Sequence, residues 1–282
     1  MPFILNTNTG LTGTPEEVQI YYQEVGEGDP VVLIHGWPLN LEMWEYQFNE
    51  LPKHNIRVIA YDRRGFGKSS KPWEPYTYDA FAQDLKALLE TLDLYNVTLV
   101  GFSMGGGEVA RFLSKYNNEG RVTKAAFVSS VTPFLLKTDS NPDGVPQEQF
   151  DGIQQQLEAD RAHFLTGFGK QFYGVHLFSN PVSEERLQQD SALALQAAGY
   201  ATIKAMQAWS TTDFRDDLTR IKVPTLVIHG KADETVPMDI SGEKTAAAIP
   251  QAKFVVFDDA PHGLVYTHKE KFNEEIISFI NG

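Results

Sequence analysis

The sequence predicts an α/β fold, a parallel sheet covered by helices on both faces and interrupted by one helical insertion. Three observations predict it. Short apolar runs recur: VVLI from Val31, IRVIAY from Ile56, VTLVG from Val97, AAFVSS from Ala125, TLVIHG from Thr225 and KFVVF from Lys253. Unbroken runs of this length suit strands buried on both faces. Amphipathic patterns separate several of them. In YDAFAQDLKALLETL, from Tyr78, the apolar residues Phe81, Leu85, Leu88, Leu89 and Leu92 share one helical face. The rhythm breaks once, from about Pro133 to Asp213, where strand signals vanish and the chain turns helical and aromatic (Phe134, Phe150, Phe164, Phe168, Phe172, Tyr173, Phe178, Trp209).

That break opens with KTDSNPDGVPQ, rich in turn formers, and the sheet pattern resumes at KVPTLVIHG. The expected organisation is a core of residues 1–132 and 214–282 with a helical cap inserted at 133–213. The 282 residues suffice for such a domain to bury a full core.

Composition excludes several classes. The net charge of -13 argues against nucleic acid, whose phosphates require clustered Lys and Arg. The chain has no cysteine, so thiolate catalysis, thiolate metal sites and disulfides are ruled out. No apolar run approaches the roughly 20 residues that cross a bilayer. MPFILNTNTGLTG has no basic n-region and no evident small-residue cleavage site, so a cytoplasmic address is expected.

Along the chain, the loop after the Val31 run reads HGWPLN; Pro38 has no N–H and confines Trp37 to extended backbone. YDRRGFGKS follows the Ile56 run but lacks a phosphate-binding arrangement, so Asp62, Arg63 and Arg64 are expected to tie neighbouring loops together. LVGFSMGGGEVARFL then joins a strand to a helix through Ser103. Gly101 and Gly105 clear the sharp turn, which exposes the Ser103 hydroxyl beyond the carboxyl edge of the sheet. The Met104 amide heads the new helix, and there it is a free donor for an oxyanion.

Serine needs a base and an acid that orients the base. His262, in FDDAPHGLVY after the final strand run, is placed to be the base. His54, His163, His176 and His268 read as surface or packing residues, and His35 and His229 as buried imidazoles bonded to backbone. Asp233, in HGKADETVP, is the expected acid, because the preceding strand ends in VSSVTP without a carboxylate. The order Ser, Asp, His suits a nucleophile on such a turn.

HGWP, YDRRGFGKS, GFSMGGGEVARF, GKADETVP and APHG together resemble the α/β-hydrolase superfamily from about Val31 onward. GFSMGGGEVARF and AWSTTDFRDDL are similar to the cofactor-free bacterial haloperoxidases (non-haem chloroperoxidases) and their arylesterase relatives. The resemblance implies a mostly parallel eight-stranded sheet with helices and an inserted cap. It implies a triad of Ser103, Asp233 and His262, an oxyanion hole from the Trp37 and Met104 amides, and no cofactor or metal. It further implies hydrolysis of small aryl and alkyl esters, with hydrogen peroxide as an alternative acyl acceptor and assembly into trimers or larger. Trp37 and Trp209 are the candidate substrate-binding residues; Trp209 reads equally as cap-to-core packing. The same machinery serves lactonases, amidases, C–C bond hydrolases and hydroxynitrile lyases, and a slow-turnover binding or signalling protein could retain it.

Overall fold

The computed structural model describes residues 2–9 and 15–282. Eight strands form one sheet: β1 (Phe3–Thr9), β2 (Pro15–Val25), β3 (Asp29–Ile34), β4 (Ile56–Tyr61), β5 (Val97–Phe102), β6 (Val122–Val128), β7 (Thr225–Gly230) and β8 (Ala252–Phe257). Their order is β1-β2-β4-β3-β5-β6-β7-β8. Pairing is parallel from β4 to β8, and β2 runs antiparallel to both of its neighbours.

The helices are α1 (Glu45–Glu50), α2 (Tyr78–Thr91), α3 (Met104–Lys115), α4 (Gln147–Phe172), α5 (Glu184–Leu195), α6 (Gly199–Thr211), α7 (Arg215–Thr219), α8 (Gly242–Ala248), α9 (Leu264–Thr267) and α10 (Lys269–Asn281). α2, α3, α7 and α8 pack in succession as one layer, and α1 packs on α10 in another. Thr77 starts α2 by accepting the Ala80 amide, and the predicted apolar stripe Phe81, Leu85, Leu88 and Leu89 is buried. Among the described residues no helix is long and apolar enough to cross a membrane.

The six predicted strands are all present, and β5 and β7 are buried along their whole length. β1 and β2 carried no strand prediction. They form the sheet margin, with Ile4 and Ile20 paired and buried while Phe3 and Leu5 remain exposed. Along this hairpin burial alternates, with Ile4, Val18 and Ile20 turned inward and Leu5, Glu17 and Gln19 outward, so it lacks the continuous apolar run of a strand buried on both faces.

The sheet reverses direction of growth at β3: β4 is added on one side and β5 on the other. The loops leaving β3 and β5 therefore open a crevice at the carboxyl edge, and Ile34 pairs with Gly101 at its base. Between β6 and β7 the chain forms α4, α5, α6 and α7, of which α4 and α6 contribute wall residues above Ser103. α4 is broken at Asp160 (φ -155°, ψ 90°), whose carboxylate accepts the His163 amide at 3.0 Å and caps the second half.

Candidate active site

Ser103 lies between the last residue of β5 and the first of α3, with φ 53° and ψ -117°. A non-glycine residue reaches this left-handed region only when its surroundings hold it there. The holding contacts are backbone bonds: the Ser103 amide donates to Val128 at 2.8 Å, and the Ser103 carbonyl accepts from Gly106 at 3.0 Å. Gly101 is required for the turn, since a Cβ there would stand 2.5 Å from the Gly105 carbonyl oxygen.

His262, in the loop between β8 and α9, brings Nε2 to 3.0 Å from Ser103 Oγ and Nδ1 to 2.7 Å from Asp233 Oδ2. Asp233, in the loop after β7, keeps Oδ1 for the Thr235 and Val236 amides at 2.9 and 2.8 Å. Burial by itself would raise the Asp233 carboxyl, but the His262 charge and hydrogen bonds from His229 and His262 outweigh it. The group is held well below the usual carboxylate range. An ionised acceptor on Nδ1 fixes the His262 proton there and leaves Nε2 to accept from the Ser103 hydroxyl. All three residues are buried, with Ser103 6% exposed.

His229 also reaches this acid. Its Nε2 donates to the Val236 carbonyl at 2.9 Å, as the sequence suggested, and stands 3.3 Å from Asp233 Oδ2. Two imidazoles thus flank one carboxylate, an arrangement invisible in the sequence because only the turn after β7 folds Asp233 back toward its own strand.

Among the described residues, the Trp37 and Met104 amides have no protein acceptor. The loop bearing Trp37 is tied down by a buried network. Arg63 Nη2 donates to the His35 carbonyl at 2.7 Å, its amide to His35 Nε2 at 3.0 Å, and its guanidinium pairs with Glu108 of α3. Asp62 accepts the Leu41 and Lys68 amides, and Arg64 clasps Asp84 on α2. This is the tying function anticipated for YDRRGFGKS.

A cavity of about 430 Å³ opens above Ser103. Its interior is apolar, with Trp37, Val131, Leu135, Phe150, Ile153, Phe164, Phe168 and Trp209 in the wall, and its rim carries Gln149, Gln156, His163 and Gln171. The Trp209 ring packs 5.8 Å from both Trp37 and Phe150, so it both lines the cavity and ties α6 to α4 and to the loop after β3. The aromatic residues of the 133–213 insertion have different fates. Phe164 and Phe168 reach the cavity, Phe172 stacks edge-on against His262, and Phe178 is 91% exposed. Spacing by four residues signalled the first three as one helical stripe. Phe102 lies 5.0 Å from the His262 ring, beneath the site.

The chain belongs to the alpha/beta hydrolase fold family, whose model matches residues 29–269. It is 39% identical to a non-heme chloroperoxidase of Kitasatospora aureofaciens, over 95% of this chain and 98% of that one. It is 37% identical to a bifunctional esterase/perhydrolase of Acinetobacter calcoaceticus, over 96% and 99% of the two chains. Among solved structures, a bromoperoxidase from Bacillus anthracis superposes with a TM-score of 0.92 at 44% identity, covering 99% of this chain and 100% of that one.

Proposed function

We propose that the protein is a serine esterase for small aryl and alkyl esters, and that its acyl-enzyme also accepts hydrogen peroxide. The observation that carries the reading is the hydrogen-bonded series Asp233, His262, Ser103 beneath an apolar cavity. In it Ser103 Oγ attacks the ester carbonyl and gives its proton to His262 Nε2. The oxyanion so formed is met by the Trp37 and Met104 amides, each such donor contributing about 3 kcal/mol in the transition state. His262 then protonates the departing alcohol. Water, deprotonated by the same imidazole, attacks the acyl-enzyme to release the acid and restore Ser103.

Hydrogen peroxide attacking in place of water gives the peracid and free serine. A peracid oxidises halide to hypohalous acid and is itself reduced to the carboxylate, which requires no metal or organic cofactor. The names of the chloroperoxidase and esterase/perhydrolase relatives support this second nucleophile. Action in the cytoplasm and assembly into trimers or larger belong to the same reading, and the elution volume on size exclusion reads the latter.

The test is hydrolysis of aryl esters from acetate upward by the wild type and by Ser103→Ala, without and with peroxide. Rapid turnover abolished in the variant, with peracid produced when peroxide is added, is the expected result. Activity surviving in Ser103→Ala, or none in the wild type, overturns the esterase reading; turnover with no peracid overturns the perhydrolase part.

A further inference from the structure

The wall of the cavity contains one residue that neither packing nor backbone geometry explains. Gly167 of α4 lines the cavity, and a Cβ built on it meets nothing within 4 Å. Its backbone is helical, the break in α4 being at Asp160. Glycine inside a helix is less favourable than alanine, since it loses more chain entropy and contributes no packing. Nearby Gly169 differs: a Cβ there would touch Leu187 of α5 at 4.0 Å.

Position along α4 says what the vacancy borders. His163 and Gln171 stand four residues before and after Gly167, so the three share a face, and all three are exposed at the cavity rim. Phe164 and Phe168 are half-buried, and Phe168 meets the Trp37 ring edge-on at 5.1 Å. Gly167 therefore sits where the rim passes into the aromatic interior.

We propose that Gly167 is a specificity-determining residue: its missing side chain keeps the cavity mouth wide enough for esters with a bulky acyl or alcohol group. The proposal rests on the esterase reading. A leucine at this point projects into that open space and is expected to obstruct large esters more than small ones. One added or missing methylene in a fitted pocket changes selectivity by about 10- to 200-fold, so a leucine side chain is expected to act at least at the lower end.

The experiment compares kcat/KM for phenyl acetate, phenyl octanoate and 2-naphthyl acetate in the wild type, Gly167→Ala, Gly167→Leu and Gly152→Leu. Gly152 is the control, because it also lies in α4, a Cβ there meets nothing within 4 Å, and it is not in the cavity wall. Gly167→Leu is expected to lower the ratio of kcat/KM for at least one bulky ester to that for phenyl acetate by about tenfold or more. Gly152→Leu should change none of the ratios, and Gly167→Ala should raise Tm by about 2 °C, as relief of a helix glycine does. Parallel changes across the three esters, the same selectivity loss in Gly152→Leu, or a lower Tm for Gly167→Ala overturns the proposal. If the wild type hydrolyses none of the esters, the esterase reading fails on its own. Calorimetric binding of butyrate and 4-phenylbutyrate then decides on Gly167: loss of only the larger acid in Gly167→Leu supports it, and loss of both or neither overturns it.

Discussion

Replacing Asp233 by asparagine keeps the shape of the site and reverses one hydrogen bond. Asp233 Oδ1 accepts two backbone amides, from Thr235 and Val236, so the asparagine carbonyl must occupy that position; an amide group there would meet two N–H donors. The Nδ2 amide is then forced to the position of Oδ2, 2.7 Å from His262 Nδ1 and 3.3 Å from His229 Nε2. To accept from it, His262 must move its proton to Nε2, the nitrogen that has to accept from Ser103. A base held in the wrong tautomer costs about 10⁴ in kcat, or ~5 kcal/mol of barrier. The assay is the steady-state rate on the best aryl ester of the wild type, with circular dichroism confirming that the variant is folded. A folded Asp233→Asn protein within about tenfold of the wild-type kcat would refute the assignment of the acid, since general-base help is worth at least about 10².

Two further predictions concern the network behind the oxyanion loop. Glu108 pairs with Arg63 with both side chains fully buried, so Glu108→Ala should cost about 3–5 kcal/mol in chemical denaturation, by leaving an unpaired buried charge. The double variant with Arg63→Met should lose less than the two single losses added together, and a single loss under about 1 kcal/mol would contradict the pairing. His35 is neutral in the fold: burial and the Arg63 charge hold its pKa well below 6.5, and Nε2 accepts the Arg63 amide. The unfolded chain takes up a proton on His35 below about pH 6.5 that the native state refuses, so stability there declines as the pH is lowered, by up to about 1.4 kcal/mol per unit. Asp62, raised to about 6 chiefly by burial, works in the opposite direction, losing its contribution as pH rises through that value. Denaturation at pH 7.5, 6.5 and 5.5 of the wild type and His35→Gln isolates the histidine by difference; equal slopes in the two proteins would show that His35 titrates normally.

The interior strands and the elbow serine were legible because their signals are local. A strand buried on both faces is an apolar run, and a turn this sharp needs glycine wherever a Cβ would strike backbone, as at Gly101. Chain order then pointed to Asp233 and His262, each in a loop after a carboxyl strand end, since the loops leaving one edge of a parallel sheet converge. The hairpin of β1 and β2 escaped because its buried residues Ile4, Val18 and Ile20 alternate with exposed Leu5, Glu17 and Gln19 and so form no continuous apolar run.

Other features depended on contacts between residues far apart in sequence. Whether an aromatic residue of the insertion lines the cavity, packs on His262 or faces solvent depends on which surface folds against it, so Phe168, Phe172 and Phe178 have three different fates. Arg63 gained Glu108, 45 residues away, by the same route, whereas His229 reaches Asp233 through the tight turn that follows β7. The sequence alone determined where six of the eight strands fall along the chain and the residue types at the reactive corner, because backbone geometry and burial act on neighbours along the chain. The tertiary structure decided the shape of the cavity, the burial of Arg63 against Glu108 and the open space at Gly167, because those depend on which distant surfaces the sheet and the inserted helices bring face to face.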